Sequence, residues 1–178
     1  MKASHLFLFL LLGSTPVLAQ QVCDTQSYPM SAPAENFIDN GDGTLTDKQS
    51  KLTWMRCSLG QVWNGTTCTG TPSSLTWQSA LEAAQGLNQR GGYASHSDWR
   101  VPHIPELAMI AERQCSNPRI NITLFPATPA EYFWTATTRR GPDMDADAYV
   151  LSFGAEGAKY KGKGEALHVR LVRDGKAM

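Results

Sequence analysis

Three lysines, Lys159, Lys161 and Lys163, alternate with Tyr160 and Gly162 near the end of the chain. In an extended segment this spacing sends all three ammonium groups to one side, because successive strand side chains point to opposite faces. A cationic row of this kind attracts the sulfate or carboxylate groups of an anionic polysaccharide. The same lysines on an edge strand also block edge-to-edge aggregation, which is their plainer use. Arg139 and Arg140 are candidates to extend the row. Trp63 lies in the segment between Cys57 and Cys68, where partial exposure would suit a ligand platform. Trp54, Trp77, Trp99 and Trp134 fall within expected elements and read as core.

Other constellations fail on inspection. Asn40-Gly41-Asp42-Gly43 invites a calcium-loop reading with Asn40 and Asp42 as ligands, but that alignment puts Ile38 at the first ligand position and Gln49 at the bidentate one. A hairpin turn is the simpler reading. Asp143, Asp145 and Asp147 could gather around a cation, yet an alternating acidic loop is usually just solvated. His96, His103 and His168 are scattered, and neither a nucleophile elbow nor a glycine-rich phosphate loop is present. The expectation is therefore a non-enzyme with no metal and no cofactor.

The 16 Lys+Arg balance the 16 Asp+Glu, for a formal net charge of 0. That balance argues against a nucleic-acid partner and against a polybasic membrane arm. Met1-Lys2, the apolar run Leu6 to Leu12 and the small-residue end Val17-Leu18-Ala19 predict a cleaved signal peptide over 1–19. The apolar stretch is too short to span a bilayer. A secreted or periplasmic protein, not membrane-bound after cleavage, is expected. All 4 cysteines follow this segment. An even count in an exported chain reads as two disulfides, and the absence of any C-x-x-C pair argues against zinc. Four cysteines allow three pairings. The glycine-containing loop between them favours Cys57–Cys68, which leaves Cys23–Cys115.

The elements that must position these residues follow from periodicity. Residues 20–35 read as an extended arm, and 36–178 as one domain. Strands are expected at Asn36–Asp39, Thr44–Asp47 and Leu52–Cys57. A helix capped by Ser74 or Thr76 runs through Trp77, Ala80, Leu81, Ala84 and Leu87 and stops at Gly91-Gly92. A second opens after Pro102, with Pro105 and Glu106 in its first turn. Strands return at Glu131–Thr137, at Ala148–Phe153 with Tyr149, Leu151 and Phe153 on one face, and at Leu167–Val172. In the last, Leu167, Val169 and Leu171 point inward and His168 and Arg170 outward. Strands and helices segregate along the chain, so the class is α+β.

Taken in order, Asp39-Asn40-Gly41-Asp42-Gly43-Thr44, Leu52-Thr53-Trp54-Met55-Arg56-Cys57, Thr76-Trp77-Gln78-Ser79-Ala80-Leu81, Ser97-Asp98-Trp99-Arg100-Val101-Pro102 with Glu106-Leu107, Phe133-Trp134-Thr135 and Val169-Arg170-Leu171-Val172-Arg173 resemble the Lcl C-terminal domain family of exported bacterial proteins. The resemblance covers Asn36 to Gly175. It implies a C-type-lectin-like fold and an adhesin-like binding role, since a family member binds sulfated glycosaminoglycans and assembles as a trimer. It therefore implies a surface glycan or protein partner, and an oligomer. This chain lacks a collagen-like Gly-x-y stretch, and it lacks the Glu-Pro-Asn, Gln-Pro-Asp and Trp-Asn-Asp motifs of calcium-dependent lectins. Two alternatives stand beside this reading. Arg100-Val101-Pro102 with Glu106 resembles a segment of formylglycine-generating enzymes, whose fold is related, but no cysteine follows Cys115 to act as their nucleophile. A structural subunit of a cell-surface appendage is the other.

Overall fold

The structure, a computed structural model, describes residues 21–141 and 145–175. The predicted signal peptide and Asp143 lie outside these residues. The strands and helices run β1 (Val22–Cys23), β2 (Phe37–Asp39), β3 (Thr44–Asp47), β4 (Leu52–Met55), β5 (Val62–Trp63), β6 (Cys68–Thr69), α1 (Trp77–Gln89), α2 (Ile104–Met109), β7 (Cys115–Ser116), β8 (Tyr132–Thr138), β9 (Asp147–Ser152), β10 (Ala158–Gly162) and β11 (Val172–Asp174). The class is α+β with antiparallel sheets. One sheet has the order β11-β4-β3-β2 and another β10-β9-β8, and the pairs β1-β7 and β5-β6 are small ladders.

Local chemistry sets the boundaries. The β2–β3 turn places Gly41 at φ +78° and Gly43 at φ +87°. A Cβ on Gly43 would stand 2.1 Å from the Tyr93 hydroxyl, so the turn needs glycine there for space as well as conformation. The Thr76 side chain accepts from the Ser79 N–H at 3.3 Å and caps α1. Pro105 sits in the first turn of α2, and Glu106 reaches back to the His103 N–H at 2.7 Å.

Two apolar clusters form the core. In the first, Leu45, Trp54 and Val172 on the inner face of the four-stranded sheet pack with Leu107 of α2, with Ile110 at its C-terminal cap and with Phe125, Phe133 and Phe153. In the second, Trp134, Ala148 and Val150 pack with Ala80 and Ala84 of α1 and with Val169 and Leu171. β8 and β9 are thus covered on both faces. Ala148 and Val150 are as buried as Leu151 and Phe153, so β9 has no single apolar face.

Both expected disulfides are present, Cys57–Cys68 and Cys23–Cys115. The second bridges β1 to β7. The extended arm is correspondingly built into the fold: the buried Glu112 carboxylate accepts the N–H groups of Ser31 at 3.0 Å and Ala32 at 2.9 Å.

The expectation for the last segment needs correction. Regular pairing begins only at Val172, and neither His168 nor Arg170 points to solvent. Residues 167–171 run between the two clusters, so this stretch has no outward face for alternation to find. His168 is half-buried, with its Nδ1 3.1 Å from the Ser73 carbonyl. Arg170 is 0% exposed. Its guanidinium donates to the carbonyls of Met55 (3.0 Å) and Arg56 and to the hydroxyls of Ser58 (3.4 Å) and Thr128 (2.7 Å). The Phe125 ring lies 4.9 Å from its Cζ. Among the described residues no carboxylate pairs with it.

Replacing Arg170 by Met removes its four hydrogen bonds and takes that donor from the Met55 and Arg56 carbonyls. The expected loss is at least about 3 kcal/mol, a Tm drop of about 6–12 °C in calorimetry. Arg170→Lys retains charge but not the planar fork, so its Tm should fall between wild type and Arg170→Met.

Candidate functional site

The lysine row lies along β10, the edge strand of its sheet, and just beyond it. Lys159 and Lys161 are register partners of Val150 and Ala148. Both valine and alanine face α1, so these two lysines leave the sheet on that side. Trp77 opens α1 and ties the helix to the same rim. Its N–H donates to the Lys163 carbonyl at 3.0 Å, and its indole N–H to the Thr135 carbonyl at 2.9 Å. The Lys163 ammonium consequently lies 4.6 Å from the Trp77 ring centroid, and that of Lys161 lies 5.1 Å from the Tyr132 centroid. Both fall within cation–π range. Trp77, expected in the core, packs half-buried against the second cluster at this rim.

The rim is not bare cation. Lys159 pairs with Glu156, which also accepts the Tyr132 hydroxyl. Hydrogen bonding to Glu156 holds the Lys159 ammonium above its ordinary pKa and raises the Tyr132 phenol as well. Lys161 pairs with Glu165 at 3.2 Å, and Lys163 donates to the Asp145 carbonyl. The glutamates were not anticipated. Their positions just before and just after the lysine run were the available signal.

The remaining candidates fall elsewhere. Arg139 stacks on Tyr160, 3.9 Å from the ring centroid, and pairs with Asp147 at 3.2 Å. Tyr160 points away from its neighbours Lys159 and Lys161, so Arg139 sits on the other face of the sheet and does not extend the row. Arg140 is exposed at the end of β8. Trp63 is half-buried against the β2–β3 turn, where the Arg56 guanidinium lies 4.5 Å from its ring. The Asp147 carboxylate is engaged by Arg139, whereas Asp145 is engaged through its backbone carbonyl. Among the described residues no group of three or more His, Cys, Asp or Glu side chains is placed to hold a metal.

The Arg100–Glu106 segment is a structural joint. Arg100 forks onto Glu106 at 2.8 and 2.7 Å and reaches Asp174 at 2.6 Å, fastening the start of α2 to β11. All 4 cysteines are in disulfides, so no free thiol is present.

A small antiparallel α+β domain stapled by two disulfides, with a lysine–aromatic rim on an edge strand, defines the class. The profile of the Lcl C-terminal domain matches residues 43–173, well over half of the chain, and the chain belongs to that family. No curated protein shows significant similarity to it.

The ion-paired and hydrogen-bonded carboxylates give the fold a definite response to acid. Hydrogen bonds from Arg173 lower the Asp98 pKa. Burial alone would raise Glu106 and Glu112, but hydrogen bonds from Arg100 and the His103 N–H, and from the Ser31, Ala32 and Gln114 N–H groups, outweigh it and leave both below their ordinary values. Folded-state pKa values below the unfolded ones mean that the unfolded chain binds more protons in acid. The resulting stability is complete above the unfolded carboxylate pKa and is lost as pH falls through the folded one. Urea midpoints should be level from neutral to about pH 5 and fall below about pH 4. Glu112→Gln should lower the neutral plateau and flatten the acid limb.

Proposed function

We propose that this chain is an exported, non-catalytic, adhesin-like binding module, and that the rim of Lys159, Lys161 and Lys163 recognises a sulfated or carboxylated surface glycan. The observation that carries the reading is the seating of two lysine ammonium groups over the Tyr132 and Trp77 rings on a single rim. The rings hold the cations in a row without neutralising them, and their faces offer apolar area to a sugar ring. The family's resemblance to C-type-lectin-like folds, the predicted signal peptide and the two disulfides support a secreted or periplasmic setting. Disulfide bonding of every cysteine speaks against the formylglycine-generating alternative, which requires a reactive thiol.

The glutamates turn this reading into a sharp test. An anionic chain must displace Glu156 and Glu165 from their lysines, and exposed pairs of this kind are worth only about 0–1 kcal/mol. Removing the competitors should therefore help. Dextran sulfate is the probe and neutral dextran the control, measured by calorimetry on the oxidised mature protein. Dextran sulfate should bind, weaken as salt rises, and be indifferent to chelator. Lys159→Ala, Lys161→Ala and Lys163→Ala together should raise its Kd at least about tenfold. Glu156→Gln with Glu165→Gln should lower it about two- to fivefold. Binding that ignores salt and the lysines would overturn the proposal.

A further inference from the structure

The chain contains two Asn-Gly pairs, Asn40-Gly41 in the β2–β3 turn and Asn64-Gly65 at the tip of the β5–β6 hairpin. This dipeptide has a chemistry of its own. The glycine nitrogen can attack the asparagine side-chain carbonyl, and glycine has no side chain to hinder the approach. Ring closure needs an unengaged glycine N–H, donors to meet the negative charge that grows on the carbonyl oxygen, and a side-chain nitrogen free to leave. Access to water does not separate the two sites. Both asparagines are exposed, and both glycines have positive φ, +78° and +96°, with no atom within 4 Å of where a Cβ would stand.

Hydrogen bonding separates them. At the first pair the reacting groups are already engaged. The Gly41 N–H donates to the Asp39 carboxylate at 3.0 Å. That bond, with the Arg56 pair at 2.7 Å, holds the Asp39 carboxyl below its ordinary pKa, so the acceptor is charged at neutral pH. A charged acceptor holds the N–H more firmly than a neutral one, and its negative charge opposes loss of the proton. The Asn40 side-chain nitrogen, which would have to leave, donates to the hydroxyls of Thr44 at 2.8 Å and Thr46 at 3.0 Å.

At the second pair the arrangement is reversed. Among the described residues nothing accepts from the Gly65 N–H or from the Asn64 side-chain nitrogen. The Asn64 Oδ1 instead accepts the N–H groups of Thr66 at 3.0 Å and Thr67 at 2.9 Å. These donors draw electron density from the carbonyl carbon and are in place for an oxyanion, as in acyl transfer. We propose that Asn64 is a self-modifying site, which closes to a succinimide and opens to aspartate and isoaspartate, while Asn40 is kept intact. The Gly65 nitrogen bonds to the Asn64 Cγ and gives its proton to solvent, the Cγ–Nδ2 bond breaks, and ammonia leaves. Water then opens the ring at either carbonyl, and no other reactant is needed. Each event adds one negative charge to the tip. The isoaspartyl product also inserts a backbone carbon into a turn closed by the Asn64 N–H to Thr67 carbonyl bond at 3.1 Å. The Cys57–Cys68 bridge ties down the base of the hairpin and confines that change to its tip.

The test follows both sites in one molecule. Folded, oxidised mature protein is incubated for days in mildly alkaline buffer, then digested and mapped by mass spectrometry. Fragment masses locate each amide-to-acid exchange, and chromatography separates aspartyl from isoaspartyl peptides. Asn64 should convert at least about tenfold faster than Asn40, whose closure must break three hydrogen bonds. In urea with the disulfides reduced, each site is a plain Asn-Gly pair and the two rates should converge. Asp39→Ala, which frees the Gly41 N–H, should speed Asn40 and leave Asn64 unchanged. Equal rates in the folded protein, faster conversion at Asn40, or a folded Asn64 that stays intact while the unfolded chain converts would each overturn the proposal. An Asn40 that remains as slow in Asp39→Ala would remove the carboxylate as its protection.

Discussion

A guanidinium that pairs with no carboxylate among the described residues sits between the two sheets, and their docking depends on it. Burial disfavours the charge of Arg170 and lowers its pKa, but an arginine in a folded protein stays protonated, so the cost must be offset in place. The offset comes from carbonyl and hydroxyl oxygens of residues 55–58 and 128, and from the Phe125 face. These groups belong to the end of β4 and to the loop before β8. They reach both terminal nitrogens of the guanidinium, though not its buried Nε, only when both sheets are docked, so the charge penalises any packing that leaves them apart.

The segment that carries Arg170 also links the lysine rim to the outer face of the four-stranded sheet. Leu167 bridges to Leu75, two residues before the Trp77 that anchors the lysine rim. Val172 enters the four-stranded sheet, and the next residue, Arg173, lies on that sheet's outer face. Seven consecutive residues therefore run from the edge of one surface, through the core, to the other. Neither surface can shift far without disturbing the buried guanidinium between them.

Much of this fold was legible in the sequence because its signals are local. The Asn40–Gly43 turn, the Thr76 cap, Pro105 in the first turn of α2 and the short Cys57–Cys68 loop each depend on a few adjacent residues. What was not legible depends on register and on coverage. Arg170 was placed outward because alternation presumes a solvent side, and that segment has none. Arg139 was offered as an extension of the lysine row with no register to place it. A register irregularity between Trp134 and Thr138, and the pleat of β10, put it across the sheet instead. The polar row on the outer face of the four-stranded sheet was invisible for a similar reason. Thr46 and Thr53 are ordinary strand formers, and only the pairing of β3, β4 and β11 aligns them with Arg173. Within the lysine run the row itself was readable, whereas the rings and glutamates that condition it are supplied by other elements.

Those glutamates bear on what a cationic rim can discriminate. A net charge of 0 for the whole chain means that attraction for anions must be local. Lys159 and Lys161 already hold carboxylates, so a ligand with one isolated charge merely exchanges one exposed pair for another of similar worth. A chain with closely spaced anions differs. Once its first charge has displaced one glutamate, the next is held near the neighbouring lysine at high effective concentration, and the later exchanges become intramolecular. On the proposed reading, paired lysines thus reject small anions and sparsely charged polymers while retaining densely charged ones. An unpaired row would bind all of them more strongly and distinguish them less.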